Sequence, residues 1–137
     1  GMACHLDAQM IHNAWHTLSA DPVDILFIEN VGNLVCPASF DLGQHHNVVL
    51  LSVPEGDDKP EKYPVMFRLG EAVLVTKVDL LPYFPDFNPT RVREEIDLLA
   101  PNAKLMQVST KVAESLTPWV EWLCERVANR DAESKRP

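Results

Sequence analysis

Cysteine is scarce in this chain: Cys4, Cys36 and Cys124 are the only three in 137 residues. An odd, low count excludes the disulfide framework of a small secreted domain and makes a reducing cytoplasm the expected setting. Positive charge is also short. Twelve Lys and Arg stand against twenty Asp and Glu, a net charge of −8. Nonspecific nucleic-acid binding needs a basic surface, so that class is excluded, as is an anionic membrane surface as the main partner. No apolar run approaches the roughly 20 residues that a membrane-spanning helix needs. The first residues show no basic stretch followed by an apolar one, so no signal peptide is expected. There is no internal repeat and no linker.

What is present is a chain of ordinary globular composition, 46% apolar and 23% charged, long enough for one domain with a real hydrophobic core. Apolar strands alternate with helical patterns. Asp7 to Leu18 reads as a helix, with Leu6, Met10, Ile11, Ala14, Trp15 and Leu18 on one stripe, ended by Asp21-Pro22. Val23 to Ile28 reads as a strand buried on both faces, and Asn30 to His46 as a long irregular segment. Asn47–Val53, Glu71–Thr76 and Lys104–Ser109 read as three further strands. Between them, Pro60 to Arg68 allows a short helix, and Leu80 to Pro89 must be loop at least in part because it holds Pro82, Pro85 and Pro89. Thr90 is a good N-cap for a helix to about Ala100. Glu114 to Asn129 forms the last helix, with Leu116, Trp119, Val120, Leu123 and Val127 on one face and Cys124 as a buried structural thiol.

This alternation indicates an α/β fold with a mostly parallel sheet flanked by helices. Residues 1–129 form the single domain and 130–137 a polar tail expected to be disordered. In such sheets ligands bind outside the carboxyl ends of the strands. Three strand-end segments carry suggestive chemistry: Glu29-Asn30-Val31-Gly32, Thr76-Lys77-Val78-Asp79 and Ser109-Thr110-Lys111.

Each has a functional and an ordinary reading. The stem of Lys77 can lie along a purine face while Asp79 accepts two hydrogen bonds from the N1–H and exocyclic amine of guanine, which adenine cannot offer. Lys-x-Asp is also a common solvated loop. Glu29 leaving a strand can hold Mg²⁺ or its water, and Gly32 lets a backbone N–H approach a phosphate. Many strands equally end in an acid and a turn glycine. Ser109-Thr110-Lys111 is the weakest, a plain entry to a helix. Cys4 and His5 with Cys36 make three soft-to-borderline ligands for Zn²⁺ or Ni²⁺, one short of a closed tetrahedral set. The plainer reading is two separate semi-buried thiols and a surface histidine. His12, His16, His45 and His46 read as solvated helix or loop residues.

Taken together, three stretches resemble the hydrogenase nickel-incorporation GTPases of the HypB type across about residues 1 to 125. They are Cys4-His5-Leu6-Asp7-Ala8; Phe27-Ile28-Glu29-Asn30-Val31-Gly32-Asn33-Leu34-Val35-Cys36-Pro37; and Leu42-Gly43 with Glu55-Gly56-Asp57-Asp58-Lys59-Pro60. The second is long and specific. The resemblance implies a P-loop NTPase fold of the dimerising branch. It also implies that Cys4, His5 and Cys36 bind Zn²⁺ or Ni²⁺ at a nucleotide-dependent homodimer interface. Glu29 and Gly32 would belong to the switch and Mg²⁺ region, and Thr76, Lys77, Asp79 and Ser109 to the guanine region of a GTP/GDP site. The partners implied are a small zinc-binding nickel metallochaperone and the large subunit of [NiFe]-hydrogenase.

The chain departs from the pattern in three places. No Gly-x-x-x-x-Gly-Lys-Ser/Thr stretch occurs in it, so the first, phosphate-cradling strand and helix of the family are not among these residues. The chain alone is therefore expected to be an inactive GTPase, and the two strands that would flank that element are expected to seek other partners by rearrangement or dimerisation. Thr76 stands where the guanine-reading motif usually begins with asparagine, which loses an amide and implies weaker guanine affinity. Gln9 stands where some members offer a further histidine. The other reading of the chain is a nucleotide-independent Ni²⁺- or Zn²⁺-binding or partner-docking module.

Overall fold

The computed structural model describes residues 5–18 and 23–134. Its centre is a three-stranded, all-parallel sheet: β1 (Val48–Ser52), β2 (Ala72–Thr76) and β3 (Lys104–Val108), in the order β1-β2-β3. The pairing is in register throughout, Val48 opposite Ala72 and Ala72 opposite Lys104, through to Ser52, Thr76 and Val108 at the carboxyl ends. Among the described residues five α-helices accompany it: α1 (Ala8–Thr17), α2 (Lys59–Lys62), α3 (Pro64–Leu69), α4 (Pro89–Leu99) and α5 (Thr117–Ser134).

Side-chain alternation along each strand sorts the core into two faces. On one, Val49, Leu51, Val73 and Val75 pack with Phe67 of α3 and Val92 and Ile96 of α4. On the other, Ala72, Leu74, Met106 and Val108 pack with Trp122 of α5. The middle strand β2 is buried on both faces and reads as a continuous apolar run for that reason. In-register pairing puts Val48 and Leu50 on the α5 face as well, but α5 covers the β2–β3 half, and Leu50 is left 58% exposed.

Three of the four expected strands form. Val23 to Ile28 does not: it has no strand pairing among the described residues, and Val23, Leu26 and Phe27 are exposed. An apolar run becomes a buried strand only when a neighbour takes up its N–H and C=O groups, and the outer edge of β1 likewise has no ladder partner among the described residues.

α1 follows the expected span. Asp7 is its N-cap, with Oδ1 accepting the Met10 N–H at 2.8 Å. Its apolar stripe, however, is uncovered: no α1 residue is buried, and Met10 and Trp15 stand exposed. Asp21-Pro22 lies outside the described residues. The short helix at 60–68 is two helices, broken at Tyr63, with Pro64 opening the second.

Asn88, rather than Thr90, caps α4; its Oδ1 accepts the N–H groups of Thr90 and Arg91, and Pro89 occupies the first turn. α5 runs to Ser134, so residues 130–134 are helical where a disordered tail was expected. Its sheet-facing side is Trp119, Trp122 and Leu123, extended by Leu116 of the preceding 3₁₀ turn Ala113–Leu116; Val120 is 52% exposed and Cys124 is exposed, not buried. Once Trp122 takes the position over Leu74 and Met106, the residues half a turn away point outward.

Candidate functional site

The carboxyl ends of β2 and β3 bring two of the expected guanine-region residues into contact. Because the strands are parallel and in register, the chain leaves both at the same edge of the sheet. The Ser109 hydroxyl, only 2% exposed, donates to Asp79 Oδ1 at 2.5 Å. Ser109 is itself fixed from behind: its N–H donates to Ser115 Oγ at 2.8 Å and its Oγ accepts the Lys111 N–H at 3.0 Å. One oxygen of the Asp79 carboxylate is thus held, while the carboxylate as a whole stays at the sheet's ligand-binding edge.

Thr76 ends β2 opposite Ser52 and Val108. Lys77 follows it in the left-handed region, φ 59° and ψ 38°, the one non-glycine residue with positive φ among those described. That conformation costs an L-residue on the order of 1–2 kcal/mol. It turns the backbone sharply out of β2 and into the 3₁₀ turn Val78–Tyr83, which carries Asp79; the Leu80 N–H closes back on the Lys77 carbonyl at 2.9 Å. Strain of this kind gathers at functional positions.

The second cluster lies in the irregular segment before β1. Cys4 lies outside the described residues. Cys36 opens the 3₁₀ turn Cys36–Ser39, its N–H bound to Asn33 Oδ1 at 2.9 Å. Phe40 caps that turn, and the His5 ring stacks on Phe40 with centroids 3.6 Å apart and planes 7° from parallel. One residue on, the Leu6 N–H donates to Asn30 Oδ1 at 3.0 Å. Two independent contacts therefore hold the 5–6 segment against the 30–40 segment, bringing His5 to the turn that carries Cys36. Among the described residues no group of three or more His, Cys, Asp or Glu is placed to hold a metal ion.

Glu29 and Gly32 sit between these anchors and are exposed. A Cβ at Gly32 would meet nothing within 4 Å. Among the described residues no hydrogen bond or ion pair joins Glu29 or Gly32 to Asp79 or Ser109.

A third feature was not readable as a site from spacing. The segment Glu55–Pro60 after β1 folds into a dense charged knot. Asp57, 9% exposed, accepts the Asn88 N–H at 2.8 Å and Arg91 Nη1 at 3.1 Å, while Arg91 Nη2 reaches Glu61 at 2.7 Å. Glu61 first, then Asp57, raise the Arg91 pKa further above its ordinary value. Asp58 pairs with Lys62 and Lys59, and these two, Lys62 foremost, hold its carboxyl down to about 2. Gly56 turns the chain at φ 93°, a conformation glycine adopts without penalty. A cleft of about 320 Å³ opens between this segment and Tyr83–Phe87. The signal in the sequence was the acid-rich Glu55-Gly56-Asp57-Asp58-Lys59-Pro60 run; Arg91, which neutralises it, is 34 residues away from Asp57.

No protein-family model matches the chain. Individual relatives do. The chain is 50% identical over 123 residues to the hydrogenase maturation factor HypB of Escherichia coli K12, covering 90% of this chain and 42% of that protein. It is 52% identical over 120 residues to the hydrogenase/urease maturation factor HypB of Helicobacter hepaticus, covering 85% of this chain and 49% of that one. Among solved structures, HypB from Helicobacter pylori in complex with nickel superposes at a TM-score of 0.90 with 44% identity, over 95% of this chain and 62% of that one. HypB from Archaeoglobus fulgidus superposes at 0.82 with 38% identity, over 90% of this chain and 64% of that one. Over the length it spans, the chain belongs to the HypB family. It has the α/β fold of those HypB structures, and it spans about half the length of the curated HypB relatives it matches. No helix among the described residues is long and apolar enough to cross a membrane.

Proposed function

We propose that this chain carries the metal-binding, switch and guanine-reading parts of a nickel-delivery GTPase acting in hydrogenase maturation. The observation that carries the reading is the packing of His5 onto the Cys36 turn through Phe40, in a chain 44% identical to a HypB solved with nickel. Cys4, His5 and Cys36 supply thiolate and imidazole ligands to Ni²⁺, with Zn²⁺ as the competing ion. Three ligands leave a coordination position for water or for a residue of a second copy, which suits cargo that must later be released and a homodimer that shares it. The nickel is the cargo; a small zinc-binding metallochaperone and the hydrogenase large subunit are the proposed donor-side and acceptor-side partners, in the cytoplasm.

The nucleotide half rests on Asp79. With one oxygen held by Ser109, its carboxylate is preset to accept two hydrogen bonds from the guanine edge, and Lys77 can cover the base. Glu29 and Gly32 act in the switch beside Mg²⁺. Phosphoryl transfer, however, depends on charge neutralisation around the β- and γ-phosphates, most of it from a phosphate-binding loop and Mg²⁺. No Gly-x-x-x-x-Gly-Lys-Ser/Thr occurs in these 137 residues. That favours, for the isolated chain, a second reading: a Ni²⁺- or Zn²⁺-binding or docking module that works without nucleotide.

One set of titrations tests both. Calorimetry with Ni²⁺ on the full chain and on Cys36→Ala should show affinity weakened at least about tenfold, about 1.4 kcal/mol, by loss of a thiolate. The wild-type affinity should fall on acidification, because the ligands must lose protons. An unchanged affinity in Cys36→Ala would remove the site. GTP added with Mg²⁺ should bind very weakly and turn over negligibly; turnover at an ordinary rate would overturn the module reading.

A further inference from the structure

The geometry points to a second metal site on this chain, a two-histidine clamp on the exposed face of α1 formed by His12 and His16, taking a borderline divalent ion such as Ni²⁺ or Cu²⁺. It does not draw on the nickel-delivery reading, and it uses none of the residues assigned there.

Residues four apart in an α-helix stand one above the other on the same face. Here that spacing places His12 Nε2 and His16 Nε2 3.1 Å apart, with the rings 4.4 Å between centroids and 84° from parallel. The two nitrogens are closer than the ring centres, so the imidazoles lean together through the atoms that bind metals. Metal–imidazole bonds of about 2.0–2.1 Å to two nitrogens at this separation subtend roughly 100° at the ion, close to both octahedral and tetrahedral values. Without a metal, the contact is an N–H···N hydrogen bond between one donor and one acceptor tautomer. A divalent ion takes the place of the shared proton once each imidazole swings its Nε2 off the N···N line toward a common point, a side-chain rotation open to two exposed residues.

The surroundings suit such a site. Both histidines are exposed, so the ion keeps its remaining waters and reaches the clamp from solvent. On the neighbouring helix positions, Gln9 donates from Nε2 to Asn13 Oδ1 at 2.9 Å, so these amides pair with each other rather than with the imidazoles. With two neutral nitrogens and no thiolate, the donor set prefers Cu²⁺ over Ni²⁺ and Zn²⁺ by intrinsic affinity. Asp7 at the N-cap anchors the helix start, so the spacing is present before the ion arrives.

The test is ¹H–¹⁵N/¹³C NMR of the histidine side chains of the full chain during titration with NiCl₂, run on wild type, Cys36→Ala, His12→Ala and His16→Ala, each checked by far-UV circular dichroism. In wild type and in Cys36→Ala, the His12 and His16 imidazole signals should broaden together, before those of His45. In His12→Ala, the His16 signal should need at least about tenfold more Ni²⁺, because the chelate has become a single imidazole. His16→Ala should do the same to His12. The clamp is overturned if His16 broadens at the same Ni²⁺ concentration with and without His12, or if both signals stay sharp until His45 broadens. A loss of the Cys36-dependent site leaves these readouts unmoved, so the two metal sites stand or fall separately.

Discussion

Replacing Phe67 by alanine is expected to lower the unfolding free energy by about 3–5 kcal/mol, the range for deleting a fully buried aromatic ring. Phe67 is 0% exposed and belongs to α3, a helix of only six residues. A helix that short has no stability of its own in water, so its position on the sheet depends on what it buries. Phe67 is its one buried residue, packed with Val49, Leu51, Val73 and Val75. The substitution should therefore loosen α3 as a unit and open a cavity over β1 and β2. Urea unfolding followed by circular dichroism measures it. A loss below about 1 kcal/mol would mean that the sheet closes over the gap, and that Val92 and Ile96 of α4 hold this face without α3.

The parts of the fold that were legible in the sequence are those where local pattern and tertiary environment agree. The Ala72–Val75 run is apolar throughout and is buried on both faces; nothing else could accommodate it. The Val23–Ile28 run is apolar but for Asp24, yet forms no strand and has no ladder partners among the described residues. Composition marks a segment as wanting burial but carries no information on whether a neighbouring strand is there to provide it. The α1 stripe is the helical version of the same point: its periodicity is genuine, and its Met10 and Trp15 are exposed. The ends of α1 and α4 were legible to within a residue or two, since caps are chemical, whereas α5 starts three residues later and ends five later than expected. Thr90 fails as the N-cap because Pro89 takes the first helical position, which leaves the capping place to Asn88.

The candidate site was legible residue by residue but not as contacts. Asp79 and Ser109 were both readable as strand-end residues. Their hydrogen bond follows from β2 and β3 being adjacent and in register, a fact about sheet order that spacing does not contain. The approach of His5 to the Cys36 turn needed Phe40, an aromatic that no motif singled out. Asp57 and Arg91 are joined only by the packing of α2 against α4. The histidines show the opposite error. His46, read as solvated, is half-buried, bonded to Glu71 at 2.8 Å and set edge-on to Trp122.

Trp122 holds the other face of the sheet much as Phe67 holds the first, and Trp122→Ala should cost a similar amount, about 3–5 kcal/mol. The indole is 6% exposed and packs with Ala72, Leu74, Met106 and Val108. It also organises its own surroundings: Trp119 stacks on it at 5.4 Å, the Arg126 guanidinium lies 5.3 Å from its centroid, and His46 meets its edge at 5.6 Å. Apart from Leu116 in the 3₁₀ turn that leads into it, α5 alone among the described helices clusters with this face, so no element packed elsewhere can take over the contact. The β1 part of the same face is already open to solvent at Val48 and Leu50. Removing Trp122 would join that exposed strip to the surface of Leu74 and Met106, making a continuous apolar patch across all three strands. The variant should therefore unfold at lower urea and bind a hydrophobic dye in its folded state, whereas Phe67→Ala should show the first effect without an equally large second one. Equal dye binding by the two variants would mean that α5 stays docked without its tryptophan, and that Trp119 and Leu123 suffice to hold it.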